Sequence, residues 1–263
     1  MRSTLVQEAW AIEVGSREPW ADNAKIYQPI EKSQAQSNER AQSLAVQCFL
    51  RVCGLRHDVI QRVNAEFISP TGTTPVLQCG SFVIAELESI VVFVASKGIT
   101  KTNDLSQEEN ADLKAYFSLV QTVLCSAELY FSWISATGYN VTYNRYGSVY
   151  PWPLNGVLPW KKRRAIKKLL QDWSEKNEVE VIEEVESCLT ALSDRLSDKM
   201  YFFGVQPTEL DCLVFGHLFI LLNPGPEAAP EFRQIAPLVK KFSNLVQFCD
   251  NIEAKYFQKQ LQM

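Results

Sequence analysis

Two histidines, His57 and His217, and seven cysteines, Cys48, Cys53, Cys79, Cys125, Cys188, Cys212 and Cys249, are the side chains that could ligate a metal or act as nucleophiles. The cysteines form no C-x-x-C pair and neither histidine has a second ligand at metal-binding spacing, so no metal centre is expected. An odd number of scattered thiols reads as reduced cysteine in a cytosol-facing protein, filling the core as small apolar residues. His217 interrupts the apolar run "CLVFGHLFILL" (212–222) and reads as a core histidine held by one partner. No glycine-rich phosphate loop and no Ser-His-Asp arrangement offers another chemistry, and no cofactor is expected.

Two segments carry recognition chemistry instead. "WKKRRAIKK" (160–168) gathers Lys161, Lys162, Arg163, Arg164, Lys167 and Lys168, and the acidic "EKNEVEVIEEVE" (175–186) follows it. The bland reading is a solvated helix face neutralised by its neighbour. The sharper one is contact with a partner or with anionic lipid head groups, where each cation near the surface contributes about 1 kcal/mol. Nucleic acid ranks third, because the chain carries a net charge of -4 and no aromatic platform interleaves the cations. "RYGSVYPWPLN" (145–155) supplies Arg145, Tyr146, Tyr150 and Trp152 along with two prolines. Pro151 and Pro153 oppose a helix, so a fixed loop is expected from the helix ending near Ile134 to a basic helix beginning near Pro159. Its aromatic side chains suit either packing across an interdomain cleft or anchoring a partner.

These groups need a scaffold, and 263 residues that are 46% hydrophobic can bury one large core or two smaller ones. Residues 1–98 alternate between the two periodicities. "AKIYQ" (24–28) reads as a strand and "ERAQSLAVQCFLRVCG" (39–54) as a helix, with Asn38 as N-cap and Gly54 as its stop. "HDVIQRV" (57–63), then "TTPVLQC" and "SFVIAE" around Gly80, read as three more strands, and "LESIVVFVASKG" (87–98) as a closing helix. Pro75 heads the third strand, at an edge or in a cis peptide.

Residues 99–263 read as all-helical. After a polar linker (99–110), Tyr116, Phe117, Val120, Leu124, Ala127, Phe131 and Ile134 keep a three-and-four spacing along one long helix. Ile166, Leu169, Leu170 and Trp173 mark a shorter helix, and Val181 to Leu196 a longer one. Thr208 and Asp211 form a capping box ahead of what should be the central helix of a bundle. Apolar runs such as "IVVFVA" (90–95) fall well short of the roughly 20 residues that span a bilayer, so no span is expected. Glu8, Glu13 and Glu18 argue against a cleaved presequence, and Trp10 and Trp20 suggest an N-terminal arm that packs on its own domain or on a partner.

A proline-headed third strand, "PVL" with an acidic residue about ten positions on, and an all-helical second half with a T-x-x-D box together resemble the glutathione-transferase fold. Such a fold has a thioredoxin-like N-terminal domain (1–98) and an all-helical C-terminal domain (99–263). Within it, "REPW" (17–20), "SLAVQCFLRVCGL" (43–55), "NAEFISPTGTTPVL" (64–77), "RYGSVYPWPLN" (145–155), "YFFGVQPTELDCLVFGHL" (201–218) and "FSNLVQFC" (242–249) resemble the metaxin family over nearly the whole chain, most of all its second branch.

The transferase likeness implies a site at Thr74, Pro75, Glu86 and Leu87, yet leucine replaces the serine that would receive the γ-glutamyl carboxylate. The strand that should lead to a thiolate-holding residue runs into "QPIEK" (28–32), which has none, and Tyr27 and Ser33 are poorly placed for the task. The site is therefore expected to be vestigial. What the metaxin likeness implies is a non-catalytic scaffold, peripheral on the cytosolic face of the mitochondrial outer membrane. Its implied partners are another metaxin that carries a membrane anchor, an outer-membrane β-barrel assembly protein of the sorting and assembly machinery, and a kinesin-linked mitochondrial GTPase. A glutathione-dependent transferase and an anionic-lipid-binding adaptor are the alternative functions.

Overall fold

The computed structural model describes residues 18–225 and 228–257. The expected N-terminal arm up to Arg17, with Trp10, lies outside them. Trp20 lies inside and donates from Nε1 to the Arg56 carbonyl at 2.9 Å, so the near end of that arm packs on its own domain.

Four short strands, β1 (Lys25–Gln28), β2 (Asp58–Gln61), β3 (Val76–Cys79) and β4 (Phe82–Ala85), form one sheet in the order β2-β1-β3-β4. β1 and β2 are parallel and the other two pairings antiparallel, so β3 is an interior strand. Pro75 is thus no edge residue, and its peptide bond with Thr74 is cis. The register puts Ile26, Leu77 and Ile84 side by side facing the main core. Tyr27, Val76 and Ala85 line the opposite face, with Ile60 and Ile68 against them.

Helix α1 (Ser37–Val52) crosses between β1 and β2, which the parallel pairing requires. Gln36 is its N-cap rather than Asn38, in a reciprocal box with Glu39, and Gly54 ends it at φ +71. A one-turn helix, α2 (Ala65–Ile68), went unanticipated; it is too short to show periodicity and brings Ile68 to the second face of the sheet. α3 (Leu87–Ser96) closes the α/β half.

Helix α4 (Gln107–Ile134) begins inside the stretch expected to be linker, because Ser106 and Glu109 make a capping box there. Two of its segments, Gln121–Cys125 and Tyr130–Ile134, wind as π-helix. By length and composition α4 is apolar enough to cross a membrane, which the absence of a continuous apolar run had hidden. More than half of its most apolar stretch is buried, and Leu113, Phe117, Val120, Leu124 and Phe131 face the core.

Two corrections fall on the middle of the chain. An unexpected helix, α5 (Ala136–Gly147), carries Arg145 and Tyr146 in its last turn, and α6 (Leu154–Leu169) starts well before Pro159 and contains it. The loop is therefore only Ser148 to Pro153, with a cis bond between Trp152 and Pro153. Pro159 cannot donate to the Asn155 carbonyl one turn back. That carbonyl lies against Gly147, where an added Cβ would stand 2.5 Å from it, so α5 and α6 cross at a point only glycine permits. Leu169, expected on the buried stripe, is exposed.

The bundle is completed by α7 (Glu178–Leu196), α8 (Glu209–Leu222), the short α9 (Pro230–Arg233) and α10 (Ile235–Val239), and α11 (Ser243–Tyr256). α8 is buried along nearly its whole length. Asp211 accepts from the Thr208 amide at 2.7 Å, the Thr208 hydroxyl at 2.8 Å and the Phe202 amide at 2.9 Å. Burial lifts its carboxyl to about 6 against those donors.

Candidate functional site

The four positions of the implied ligand site come together at the head of β3 and the start of α3. Glu86, held at φ 69, accepts from the Thr73 hydroxyl at 3.0 Å, and Leu87 is buried beneath it. The Thr74 hydroxyl is buried without a partner among the described residues. Tyr27 turns its hydroxyl along the sheet to Gln78 Oε1 at 2.9 Å, so it holds a neighbouring strand rather than a thiol.

The end of α5 packs on the loop that follows β1. The Arg145 guanidinium donates to the carbonyls of Ala35 (3.0 Å), Lys32 (2.8 Å) and Glu31, tying down the loop that follows β1. Buried Gln34 completes the clamp, donating to Val63 O at 3.0 Å and to the Tyr150 hydroxyl at 3.1 Å. Tyr150 in turn donates to Val63 O at 2.9 Å. Thr142 donates to Gln36 Oε1 at 3.0 Å. The cavity left beside these groups, against Ala35, Phe131, Ser132 and Phe232, is about 20 Å³, room for about one water.

Behind the clamp lies an ion cluster that sequence reasoning missed. Lys162 donates to Glu39 at 2.7 Å and to Glu66 at 2.8 Å, and Glu66 also accepts from the Tyr146 hydroxyl. The ammonium stands 4.6 Å from the Tyr146 ring centroid. Burial opposes its charge, but the two carboxylates outweigh that and raise its pKa above the ordinary lysine range. Burial first, and the Glu66 carboxylate next, push the Tyr146 phenol well above its usual value. Glu39 was visible in sequence only as an ordinary helix-start acid, and Glu66 sat in a segment with no periodic pattern.

A second buried polar chain joins the two halves deeper down. His217 Nδ1 meets Glu128 Oε1 at 3.0 Å and its Nε2 meets Gln42 at 3.2 Å. Asn38, freed from capping, reaches Glu128 Oε2 at 3.3 Å and Cys125 Sγ at 3.0 Å. The signal for Glu128 was a carboxylate inside an apolar stripe, which demands a partner.

The six cations of α6 divide. Lys162 and Arg163 point inward; Arg163 donates to Trp133 O at 3.0 Å and lies 3.6 Å over the Tyr139 ring. Lys161, Arg164, Lys167 and Lys168 are exposed and form no ion pair among the described residues. The expected neutralisation by the 175–186 stretch is therefore not what the fold builds; the acids that answer this helix come from α1 and α2. Arg145, Tyr146 and Tyr150 lie in the seam between the halves, while Trp152 stands 85% exposed.

Comparison with known proteins agrees with this geometry. Residues 43–163 match the family model Tom37, described as outer mitochondrial membrane transport complex protein, and residues 185–252 match that of the glutathione S-transferase C-terminal domain. The chain is 42% identical to human metaxin-2 over 97% of both chains. It is 32% identical to mouse metaxin-1, across 82% of this chain and 69% of that one. Among solved structures, glutathione transferase GSTFuA3 from Phanerochaete chrysosporium aligns with a TM-score of 0.59 at 14% identity, covering 88% of this chain and 96% of that one. The glutathione S-transferase from Xylella fastidiosa aligns at 0.54 and 15%, covering 91% and 97%. At those identities the likeness establishes the fold alone: a four-stranded thioredoxin-like unit followed by a helical transferase-type half.

Proposed function

The chain belongs to the metaxin family, and from that premise we propose that it is a non-catalytic subunit of a protein-transport complex of the mitochondrial outer membrane. The observation that carries the non-catalytic half is the clamped loop after β1. Arg145, Gln34 and Tyr150 lock the loop after β1, where a transferase of this fold would carry its thiol-holding residue and this chain has none. The hydroxyl expected after Glu86 is the buried side chain of Leu87. End-to-end similarity to metaxin-2 supports the scaffold half.

In its finer form the proposal has the subunit pair with a second metaxin that carries a membrane anchor, contact the β-barrel assembly protein of the sorting and assembly machinery, and link mitochondria to transport through a kinesin-associated GTPase. Attachment on the cytosolic face through such a partner suits a chain whose one helix of spanning length and composition, among the described residues, is the core helix α4. Purification of the tagged full chain from mitochondria, followed by mass spectrometry, should recover another metaxin and a β-barrel assembly protein. Recovery of neither sinks the scaffold reading. Conjugation of glutathione to an electrophile above background, lost on Tyr27→Phe, would sink the non-catalytic one.

A further inference from the structure

The outward side of α6 has no role in the clamp or the ion cluster. Val157, Trp160, Lys161, Arg164 and Lys168 recur at spacings of three and four, so they share one face of the helix. All five are exposed, Trp160 by 57%. The Arg164 guanidinium lies 5.8 Å from the Trp160 ring, so the apolar and the cationic parts of the patch are interleaved rather than segregated. Trp152 stands at the head of the same helix. From Leu154 to Leu169 there is no acidic residue, although the chain as a whole is net negative.

We propose that this face of α6, together with Trp152, is a membrane-contact surface that lies on an anionic phospholipid leaflet. Tryptophan favours the head-group level because its ring is apolar and its N–H polar, and lysine and arginine beside it reach anionic phosphates. A protein docking surface draws its energy from aromatic and arginine anchors in a desolvated centre where lysine is depleted and water is excluded. Here exposed lysines and arginines surround the one large ring on the helix, which fits a lipid surface better. The charge is complementary to an anionic leaflet, and the fold keeps it so. Lys162 is neutralised internally by two carboxylates and Arg163 turns inward to backbone carbonyls, while the other four are left to solvent. This inference rests on the outer-membrane reading for its setting but not for its test.

The purified full chain is mixed with phosphatidylcholine vesicles, with and without phosphatidylglycerol, and co-flotation is measured. The parent should float with the anionic vesicles only. The triple variant Lys161→Gln, Arg164→Gln, Lys168→Gln should lower that partitioning about a hundredfold, at about fivefold per cation. Trp152→Ala with Trp160→Ala should lower it about tenfold. Lys240→Gln, an exposed cation in the turn after α10, should leave it unchanged. All of these positions are exposed, and unfolding curves check that the variants stay folded. Equal flotation of parent and triple variant, or a parent that floats with neither vesicle, overturns the proposal. If the parent floats with neither and the triple variant also loses a protein that the parent retains from mitochondria, the face docks protein instead. Fractionation away from mitochondria bears on the outer-membrane reading alone, because the vesicle assay uses purified chain.

Discussion

Lys162 shows how a single side chain changes meaning between sequence and fold. In sequence it is one of six cations in a solvated-looking run; in the folded chain it is largely buried between Glu39 and Glu66. Removing one partner of a buried charge cluster leaves the others desolvated and unpaired, which costs more than the pair itself contributes. Lys162→Met should therefore lower the unfolding free energy by about 3 kcal/mol, read from urea denaturation. A loss below about 1 kcal/mol would mean that water reaches the cluster and that it behaves as a surface pair. The raised pKa of the ammonium means that its contribution is complete below the ordinary lysine pKa and is lost as pH rises through the folded value. Through the neutral range this ammonium should add no pH dependence. Tyr146 and Arg145 follow the same lesson, since their types announced contact without announcing with what.

At the scale of elements, close crossings decide where the two halves meet. α1 and α8 pack so tightly that a Cβ on Gly216 would stand 2.3 Å from the Ala41 carbonyl oxygen and 2.9 Å from the Ala45 amide nitrogen. Both obstacles are backbone, so neither can step aside by changing rotamer. Gly216→Ala should cost about 1–3 kcal/mol despite the better helix propensity of alanine, and near-ultraviolet circular dichroism should report repacking of the aromatic core. A variant as stable as the parent would show that the helices slide apart without penalty. Gly147 against Asn155 repeats the device where α5 meets α6. That second crossing is why Pro159, which reads as a helix start, sits inside a helix instead: the hydrogen bond it cannot make is the one whose acceptor lies against the neighbouring helix.

For the molecule as a whole, the two halves share one apolar core. Ile26, Val46, Leu50 and Leu77 of the first are continuous with Leu124, Leu189, Leu213 and Phe215 of the second. The chain Gln42-His217-Glu128-Asn38 and the Lys162 cluster cross the same boundary, so separating the halves strands buried polar groups as well as apolar surface. We therefore expect one calorimetric transition, and residues 1–98 expressed alone should not fold. Two resolved transitions, or a folded 1–98 fragment, would make the halves independent domains.

Local pattern by itself determined the order of the main elements, though not α2 or α5: strand signals at β1 to β4, a period near 3.6 along α1, α4 and α7, and the box Thr208–Asp211 at the start of α8. Those signals are written within a few residues of each other, so one sequence suffices to read them. The missing thiol-holding residue after β1 and Leu87 in place of serine were legible for the same reason. How the loop after β1 is held was not legible. Arg145 meets the 31–35 loop across more than a hundred positions, and Lys162 meets Glu39 and Glu66 from similar distances along the chain. No local rule relates such residues. Only the tertiary structure sorted the cations of α6 into Lys162, which reaches the other half, Arg163, which turns into its own half, and the four that face outward. Desolvation makes that choice, because a buried ammonium persists only where carboxylates meet it, and which carboxylates do so is a property of the packed halves.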